Sequence, residues 1–241
     1  MNKNIVTTDA YGLALKAYFE GKKQAKLTVT SDIVDTEKWD VATFFRNYEQ
    51  MPEVEKIALD RVEGRTLDVG AGAGNHALWL QTKGVDVTAI DISEGAVEVM
   101  QRRGVNDGRL VNYFDLKDEK YDTLLLLMNG VGIVEKLDRL EEFFFKAKEL
   151  LNKGGKILLD SSNIIYLFME EDGSALIDLN ANYYGEISYR MDYGRHKGQP
   201  FGWIFIDYDT LAATAVQYGF TIEKIYEDDH YLYLAELTLV D

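Results

Sequence analysis

The sequence predicts an α/β protein built on a doubly wound, mostly parallel β-sheet. Between residues 65 and 162, short apolar stretches typical of strands alternate with helical patterns. Such alternation favours a parallel sheet with helices on both faces. Beyond residue 162 the alternation stops, and the chain ends with two strand patterns, 220–227 and 231–240. The turn between them is short, so the two closing strands are expected to be antiparallel.

Glycines, prolines and capping residues set the boundaries of the remaining elements. Strands of the core are predicted at 65–69, 85–90, 109–113, 121–128 and 156–161. Helices are predicted at 9–20, 39–50, 53–62, 74–83, 94–103, 136–151 and 209–218. Ser93 is placed to cap the helix that follows it, and Gly154-Gly155 is expected to end the helix 136–151 and begin the next strand.

The domain organisation follows from these elements. Residues 1–51 are predicted to form an N-terminal helical cap or lid, and residues 52–241 the main domain, with its core at 65–162 and closing strands within 220–240. A tyrosine-rich segment at about 180–207 is interpreted as a β-hairpin inserted after the fifth core strand. The segment is interrupted by Gly194, Gly198 and Pro200.

Composition narrows the classes of function. The chain has 241 residues, no cysteine and a net charge of −15 from 26 Lys+Arg and 41 Asp+Glu. Such a surface repels a phosphate backbone, which argues against nucleic acid as a partner. The absence of cysteine excludes disulfides, thiolate metal sites and thiol nucleophiles. The N-terminus lacks an apolar signal region, and the longest apolar run, Leu124 to Met128, is too short for a membrane span. We therefore expect a cytoplasmic protein that does not associate with membranes.

The most informative segment is the turn Asp68-Val69-Gly70-Ala71-Gly72-Ala73-Gly74, where an apolar strand runs into alternate glycines and then into a helix. Glycine lets a ligand approach the backbone, and the helix N-terminus offers unpaired N–H groups. Gly72, Gly74 and Ala77 also satisfy the G-x-G-x-x-G/A spacing of dinucleotide-binding turns. The glycines by themselves therefore leave a nicotinamide dinucleotide open as an alternative.

Carboxylates at the ends of three successive strands favour a different cofactor. Asp68, just before the glycines, would repel a pyrophosphate and suits a cofactor with an ammonium group and a sulfonium. Asp91 can accept hydrogen bonds from both hydroxyls of a ribose, and Asp115 can accept one from an exocyclic adenine amine. Two apolar side chains are placed to flank the adenine ring, Ile92 and Leu116. The alternative is that Asp91 and Asp115 only stabilise turns.

With these residues the sequence resembles the class I S-adenosylmethionine-dependent methyltransferases, over roughly residues 45–165 and more loosely over the C-terminal strands. The segments that carry the resemblance are Leu67-Asp68-Val69-Gly70-Ala71-Gly72-Ala73-Gly74, Ala89-Ile90-Asp91-Ile92-Ser93, Phe114-Asp115-Leu116, Tyr121-Asp122 through Met128-Asn129-Gly130, and Leu150-Leu151-Asn152-Lys153-Gly154-Gly155-Lys156. The resemblance implies a Rossmann-like sheet of seven strands with the last strand antiparallel. It also implies S-adenosylmethionine as the cofactor.

The resemblance further implies a role for each part of the cofactor site. The methionine moiety and sulfonium would face Asp68, Val69, Gly70, Ala71, Gly72, Ala73 and Gly74. The ribose and adenine would lie against Asp91, Ile92, Phe114, Asp115 and Leu116. Met128 and Asn129 would lie beside the transferring methyl group. Arg46, in an aromatic N-terminal segment, either meets the cofactor carboxylate or belongs to a cap on the sheet.

No subfamily and no catalytic residue follow from the sequence. After the fourth core strand it has Asn129-Gly130-Val131-Gly132 rather than Asn/Asp-Pro-Pro-Tyr, which argues against planar amino groups of bases or glutamine as acceptors. No Asp-Asp/Asn ligand set is evident, so no metal is expected. Methyl transfer requires a general base only for a weakly acidic acceptor. The three histidines are expected at the surface: His76 on a helix, His196 in a solvated turn and His230 in an acidic turn. The alternatives are that His76 approaches the cofactor and that His196 is a general base on a lid.

Aromatic residues indicate the character of the methyl acceptor. Seven of them follow the fifth strand: Tyr166, Tyr183, Tyr184, Tyr189, Tyr193, Phe201 and Trp203. They are expected to wall a pocket for an aromatic or apolar small molecule, or else to pack on the sheet or form a homodimer contact. The predicted function is methyl transfer to such a small-molecule acceptor. The alternatives are an NAD-dependent oxidoreductase and a non-catalytic cofactor-binding protein of the same fold.

Overall fold

The structure is a computed structural model that describes residues 9–170, 172–177 and 181–240. Residues 1–8 of the predicted cap, residue 180 at the start of the predicted insertion and Asp241 lie outside the described residues. The helices are α1 (Ala10–Phe19), α2 (Glu53–Asp60), α3 (Asn75–Thr82), α4 (Glu94–Arg103), α5 (Leu140–Leu150) and α6 (Tyr208–Gln217). The strands are β1 (Lys26–Ser31), β2 (Glu37–Asp40), β3 (Thr66–Val69), β4 (Val87–Asp91), β5 (Asp107–Leu110), β6 (Tyr121–Leu126), β7 (Leu151–Ser162), β8 (Glu186–Tyr193), β9 (His196–Lys197), β10 (Phe201–Ile204), β11 (Phe220–Glu227) and β12 (Leu232–Leu239).

The larger sheet has seven strands in the order β11–β12–β7–β6–β3–β4–β5. Strands β3 to β7 are parallel to one another, and β12 runs antiparallel to both β7 and β11. This arrangement confirms the predicted Rossmann-like sheet with an antiparallel last strand. Because the parallel strands end at one edge, the segments that follow β3, β4, β5, β6 and β7 all meet there.

Both faces of this sheet are buried, as a parallel sheet requires. Every residue of β3 and β4 is buried. One face packs in a cluster with Phe143 and Phe144 of α5, and the other in a cluster with Leu80 of α3 and Met100 of α4. The core therefore fixes the ends of β3, β4 and β6 relative to one another.

A second, smaller sheet combines the N-terminal region with the insertion. Its strands lie in the order β10–β8–β1–β2, with β9 paired to β8, and all pairs are antiparallel. The predicted hairpin thus exists, but its strand β8 pairs with the N-terminal strand β1, where Met191 lies opposite Val29. The alternation of polar and apolar residues in Lys26-Leu27-Thr28-Val29-Thr30 was a signal that could have predicted β1 from the sequence.

The helix predicted at 39–50 is wrong, so α1 is the one α-helix among the described residues of the predicted cap. Residues 37–40 form β2, with Trp39 opposite Leu27, and two short 3-10 helices follow at 41–45 and 48–50. Residues 37–40 form a strand instead of a helix because β1 supplies them with a complete ladder of backbone partners. The local periodicity of the sequence does not reveal this pairing.

Four further boundaries differ from the predicted ones. The helix predicted at 136–151 begins as a separate 3-10 turn at 137–139 and becomes α5 only at Leu140. Gly154-Gly155 does not end that helix but lies inside β7, where the register with β6 shifts. The strands predicted at 109–113 and 121–128 end earlier, at Leu110 and Leu126, so the residues after them are free to form turns.

Candidate active site

The glycine turn between β3 and α3 packs its backbone against the end of β4. The N–H of Gly72 donates to Asp91 Oδ2 at 2.9 Å. Gly72 has φ +55°, and a Cβ at this position would lie 2.6 Å from the Tyr11 hydroxyl oxygen. Glycine is therefore required here by both backbone conformation and space. The turn leads directly into the N-terminus of α3, where the N-cap residue Gly74 supplies no side-chain hydrogen bond to the first N–H groups.

Asp91 ends β4 and is brought directly under the glycine turn. Its second oxygen accepts from the Ser93 N–H at 2.8 Å. Burial raises the pKa of Asp91 to about 6, and the nearby Asp9 carboxylate adds to the increase, while the N–H donors of Ser93 and Gly72 oppose it. Each carboxylate oxygen keeps a second lone pair, so Asp91 can also accept hydrogen bonds from ribose hydroxyls.

Asp68 ends β3 and is only 1 % exposed. Burial raises its pKa, and the neighbouring His76 and the Ala77 N–H oppose that increase. Its Oδ2 has no hydrogen-bond partner among the described residues. An unsatisfied buried carboxylate oxygen is costly, and a cationic ligand group nearby would lower that cost.

The third predicted acid, Asp115, lies in a short 3-10 helix that follows β5 and is exposed. Because β5 pairs with β4, this helix is next to the end of the strand that carries Asp91. Ile92 is 51 % exposed, whereas Leu116 is buried and Phe114 is half-buried. An exposed Ile92 between the two acids offers an apolar surface to a flat ring.

Met128 and Asn129 follow β6 in an unusual conformation. Both are left-handed, with φ of 63° and 57°. Their N–H groups donate to the buried carboxylate of Asp160 in β7, at 3.1 Å from Met128 and 2.6 Å from Asn129. The Asn129 side-chain oxygen accepts from the Ser162 hydroxyl at 3.2 Å. The sequence analysis missed Asp160, although its place near the carboxyl end of a core strand was a usable signal.

Arg46 lies beside this turn in a buried charge network. Its Nη2 donates to Glu55 Oε1 at 2.6 Å and lies 3.9 Å from the Met128 sulfur. The other Glu55 oxygen is 3.0 Å from His76 Nε2. Glu55 is 3 % and His76 7 % exposed, so the surface position expected for His76 is wrong. The histidine is buried because Glu55 of α2 reaches over α3 to pair with it.

The charge state of His76 follows from this network. Burial alone would lower its pKa, but the hydrogen bond that His76 donates to Glu55 and the charges of Asp68 and Glu55 outweigh burial and raise it. A protonated His76 would place positive charge between two buried carboxylates. Arg46 and His76 together thus compensate the acids at this end of the site.

Helix α1 supplies two site residues that the sequence analysis missed. Asp9 caps α1 through the Gly12 N–H at 2.7 Å, and it also accepts from the Ser93 hydroxyl at 2.7 Å and the Gly95 N–H at 2.9 Å. The same carboxylate therefore joins α1 to the start of α4. Tyr11 lies over the glycine turn, and burial together with Asp91 holds its pKa well above the usual value.

The aromatic residues of the insertion separate into two groups. Tyr183 and Tyr184 are structural, because their hydroxyls donate to Asp207 at 2.7 Å and to Asn163 at 2.8 Å. Tyr166, in contrast, is 48 % exposed in the segment that follows β7, at the same edge as Met128. His196 is half-buried in β9, whereas His230 is exposed in the turn between β11 and β12 as expected.

These positions together define a class of protein: an α/β domain that binds an adenosine-type cofactor at the carboxyl edge of its sheet. The glycine turn contacts the Asp91 carboxylate directly, and the unpartnered Asp68 oxygen suits a cofactor with positive charge better than one with a pyrophosphate. The residues present therefore fit S-adenosylmethionine.

Comparison with known proteins gives the family. Residues 67–159 match a methyltransferase domain model. The structure of an S-adenosylmethionine-dependent methyltransferase from Bacteroides fragilis, in complex with S-adenosyl-L-homocysteine, is 45 % identical, with a TM-score of 0.91 over 98 % of this chain and 99 % of that one. The chain belongs to the class I S-adenosylmethionine-dependent methyltransferase superfamily, as the sequence predicted.

Curated relatives agree over shorter spans. An uncharacterized methyltransferase of Staphylococcus carnosus is 30 % identical over 129 residues, covering 52 % of this chain and 59 % of that protein. A ubiquinone biosynthesis O-methyltransferase of Rickettsia conorii is 26 % identical over 117 residues, covering 46 % and 39 %. The chain thus spans less than two thirds of the length of these relatives. Within the described ranges, no helix combines the length and apolarity needed to cross a bilayer.

Proposed function

We propose that this protein transfers the methyl group of S-adenosylmethionine to a small-molecule acceptor. The observation that carries the proposal is the contact between the Gly72 N–H and the buried Asp91 carboxylate, which joins the two segments that would hold the cofactor. The proposed cofactor residues are the turn from Asp68 to Gly74, the segments at Asp91-Ile92 and 114–116, and Arg46, Met128 and Asn129.

The cofactor supplies an electrophilic methyl carbon, which an acceptor nucleophile attacks in line as the bond from that carbon to sulfur breaks. The protein's part is to align the acceptor, exclude water and stabilise charge. Arg46, fixed by Glu55 next to the Met128 sulfur, is placed to pair with the carboxylate of the methionine moiety. Asp68 is placed to balance the ammonium or sulfonium charge.

An aromatic or apolar acceptor is supported by two observations. Tyr166 presents its ring to solvent at the same edge of the sheet as Met128, and it stacks with Tyr231 at a centroid distance of 6.2 Å. One curated relative is named a ubiquinone biosynthesis O-methyltransferase. The pair Tyr166 and Tyr231 would form one wall of the acceptor site.

Binding of S-adenosylmethionine measured by isothermal titration calorimetry tests the proposal. The Asp91→Ala variant is expected to bind at least about tenfold more weakly, because a charge-assisted hydrogen bond contributes about 1–3 kcal/mol. Asp107→Ala is the matched control, since it removes a carboxylate that pairs with Arg109 away from the glycine turn. It should bind the cofactor as the wild type does.

The same experiment separates the alternatives. Wild-type protein that binds NAD but not S-adenosylmethionine would replace the proposal with an oxidoreductase. Tight S-adenosylmethionine binding without turnover of any quinol, phenol or amine acceptor would favour a non-catalytic cofactor-binding protein. Formation of S-adenosylhomocysteine that depends on an added acceptor is the result that we expect.

A further inference from the structure

A basic groove lies at the far end of α1 from the candidate active site. It is formed between the loop 21–26, which joins α1 to β1, and the turn 193–196, which joins β8 to β9. Lys38 of β2 contributes to its lining, and its volume is about 1100 Å³. The groove opens where β8 leaves β1 after the pair Thr28 and Asp192 in order to form its own hairpin with β9.

The charge of this groove is opposite to that of the whole chain. Five cations line it: Lys22, Lys23, Lys26, Lys38 and Arg195. None of its lining residues is acidic, although the chain has 41 Asp+Glu and a net charge of −15. Like charges gathered in one concave surface repel one another, and concave walls of one sign concentrate the field. An anion bound there would relieve the repulsion.

Most of these cations are available to a ligand. Lys26 forms an exposed pair with Asp40 at 3.1 Å, and Lys23 donates to the Tyr18 carbonyl at 3.3 Å. The side chains of Lys22, Lys38 and Arg195 take part in no hydrogen bond or ion pair within the described part of the chain. Arg195 offers the guanidinium fork that binds phosphate oxygens in pairs, and the two lysines offer compact point charges.

The shape and the surroundings of the groove indicate the size of its occupant. Its volume of about 1100 Å³ is slightly above the range of about 300–1,000 Å³ for small-molecule sites. A nucleic acid would extend beyond the groove onto an acidic surface that repels it. Basic clusters that bind membranes lie on an amphipathic helix or beside a membrane-spanning segment, whereas these cations lie on loops and strands. We propose that the groove between residues 21–26 and 193–196 binds a small multivalent anion of the phosphate class, such as an oligophosphate or a nucleoside polyphosphate.

This site is separate from the candidate active site. Helix α1 places Asp9 and Tyr11 at the cofactor turn with its first residues and begins the groove after its last residue, Phe19. The ten residues of α1 thus separate the two sites by about 15 Å, at about 1.5 Å per residue. The inference therefore does not depend on the proposed function, and the two can fail independently.

Calorimetric titration with tripolyphosphate tests the proposal on the full chain. We expect saturable binding in the range below about 1 mM at low salt, weakened at higher ionic strength, with much weaker binding of inorganic phosphate. The triple variant Lys22→Gln, Lys38→Gln, Arg195→Gln should bind at least about tenfold more weakly. The control triple variant Lys56→Gln, Lys83→Gln, Lys136→Gln removes the same charge elsewhere and should bind within about twofold of wild type.

Each other outcome overturns the proposal. Absence of saturable tripolyphosphate binding, or equal weakening in both triple variants, would show that the groove is only a charged surface. The same variants are to be titrated with vesicles containing phosphatidylserine and with single-stranded DNA. If either of these binds to the groove while tripolyphosphate does not, the occupant is a membrane or a nucleic acid. Retained S-adenosylmethionine binding in the groove variant checks that it is folded.

Discussion

The carboxylate of Asp160 controls the geometry of the turn after β6. Left-handed conformations cost non-glycine residues roughly 1–3 kcal/mol each, and two of them follow one another at Met128 and Asn129. Asp160 offsets this strain by accepting both N–H groups. Burial raises its pKa to about 7, with repulsion from Glu55 adding to the increase and the amides of Asn129 and Met128 opposing it.

Because its pKa is raised, Asp160 makes the free energy of unfolding depend on pH. The unfolded chain loses this proton near pH 3.8 and the folded chain only near 7. Between these values the folded state binds the extra proton, so this group stabilises the fold at low pH and its contribution is lost as pH rises through 7. As pH rises from 4 to 8, the unfolding free energy of the wild type should fall relative to that of Asp160→Asn by up to about 4 kcal/mol.

Urea denaturation at a series of pH values measures this difference. Asn does not titrate, so the variant provides the reference curve. Its amide nitrogen cannot accept the second backbone N–H, which offsets that curve by an amount that does not change with pH. Asp172→Asn is a suitable control, because that exposed acid lies far along the chain and its pKa is lowered by the Ser174 hydroxyl rather than raised. A difference between wild type and Asp160→Asn that stays constant with pH would contradict the assignment.

Helices α1 and α4 cross at a pair of glycines. A Cβ on Gly95 would lie 2.6 Å from the backbone Cα of Gly12, a distance at which the helices have to separate. The Asp9 carboxylate crosses the same contact to reach the Gly95 N–H. The close packing therefore sets how near Tyr11 of α1 lies to the glycine turn.

Gly95→Ala should lower the unfolding free energy by about 1–3 kcal/mol, the usual cost of overpacking. Because α1 would move away, S-adenosylmethionine binding should weaken as well. Glu94→Ala changes the neighbouring exposed position and should cost less than about 1 kcal/mol, through the helix dipole alone. Thermal unfolding and cofactor titration of both variants check the prediction. Equal stabilities would show that α1 does not pack as tightly as described.

Local sequence patterns correctly predicted the helices and strands whose boundaries depend only on neighbouring residues. Helix α4 matches its prediction because Ser93, which caps the Ala96 N–H at 3.0 Å, and the closing glycine both act locally. The helix predicted at 39–50 failed because β2 depends on β1 for its partners. The prediction that Gly154-Gly155 ends a helix failed for a related reason. Whether such a pair ends a helix or forms an irregularity in a strand depends on the neighbouring strand β6.

The two sheets of the molecule meet where the Trp203 ring lies on Gly132. A Cβ at Gly132 would come within 1.9 Å of this ring, so the contact excludes any side chain there. Trp203 belongs to β10 of the smaller sheet, and Gly132 to the 3-10 helix that follows Met128 and Asn129. The smaller sheet therefore rests directly on the segment beside the proposed methyl position.

Gly132→Ala should detach the smaller sheet without unfolding the larger one. In hydrogen exchange measured by mass spectrometry, we expect faster exchange in β1, β8 and β10 and unchanged protection in β3, β6 and β7. The larger sheet provides the internal control, since one of its faces packs in a cluster with Leu80 and Met100 that, among the described residues, includes none from the smaller sheet. Uniform loss of protection in both sheets would mean that they unfold as one unit.

The amino-acid sequence by itself determined the family, the seven-stranded sheet and the order of the cofactor segments, because each depends on short runs: an apolar strand, its terminal acid, and the glycines or cap that follow. The contacts of Asp160, Glu55, His76 and Tyr11 were decided only by the folded chain, since each joins positions far apart in sequence. The pairing of β1 with β8 was likewise decided only by the folded chain. Long-range pairing leaves no local pattern, and burial of these charges becomes favourable only once their partners are in place.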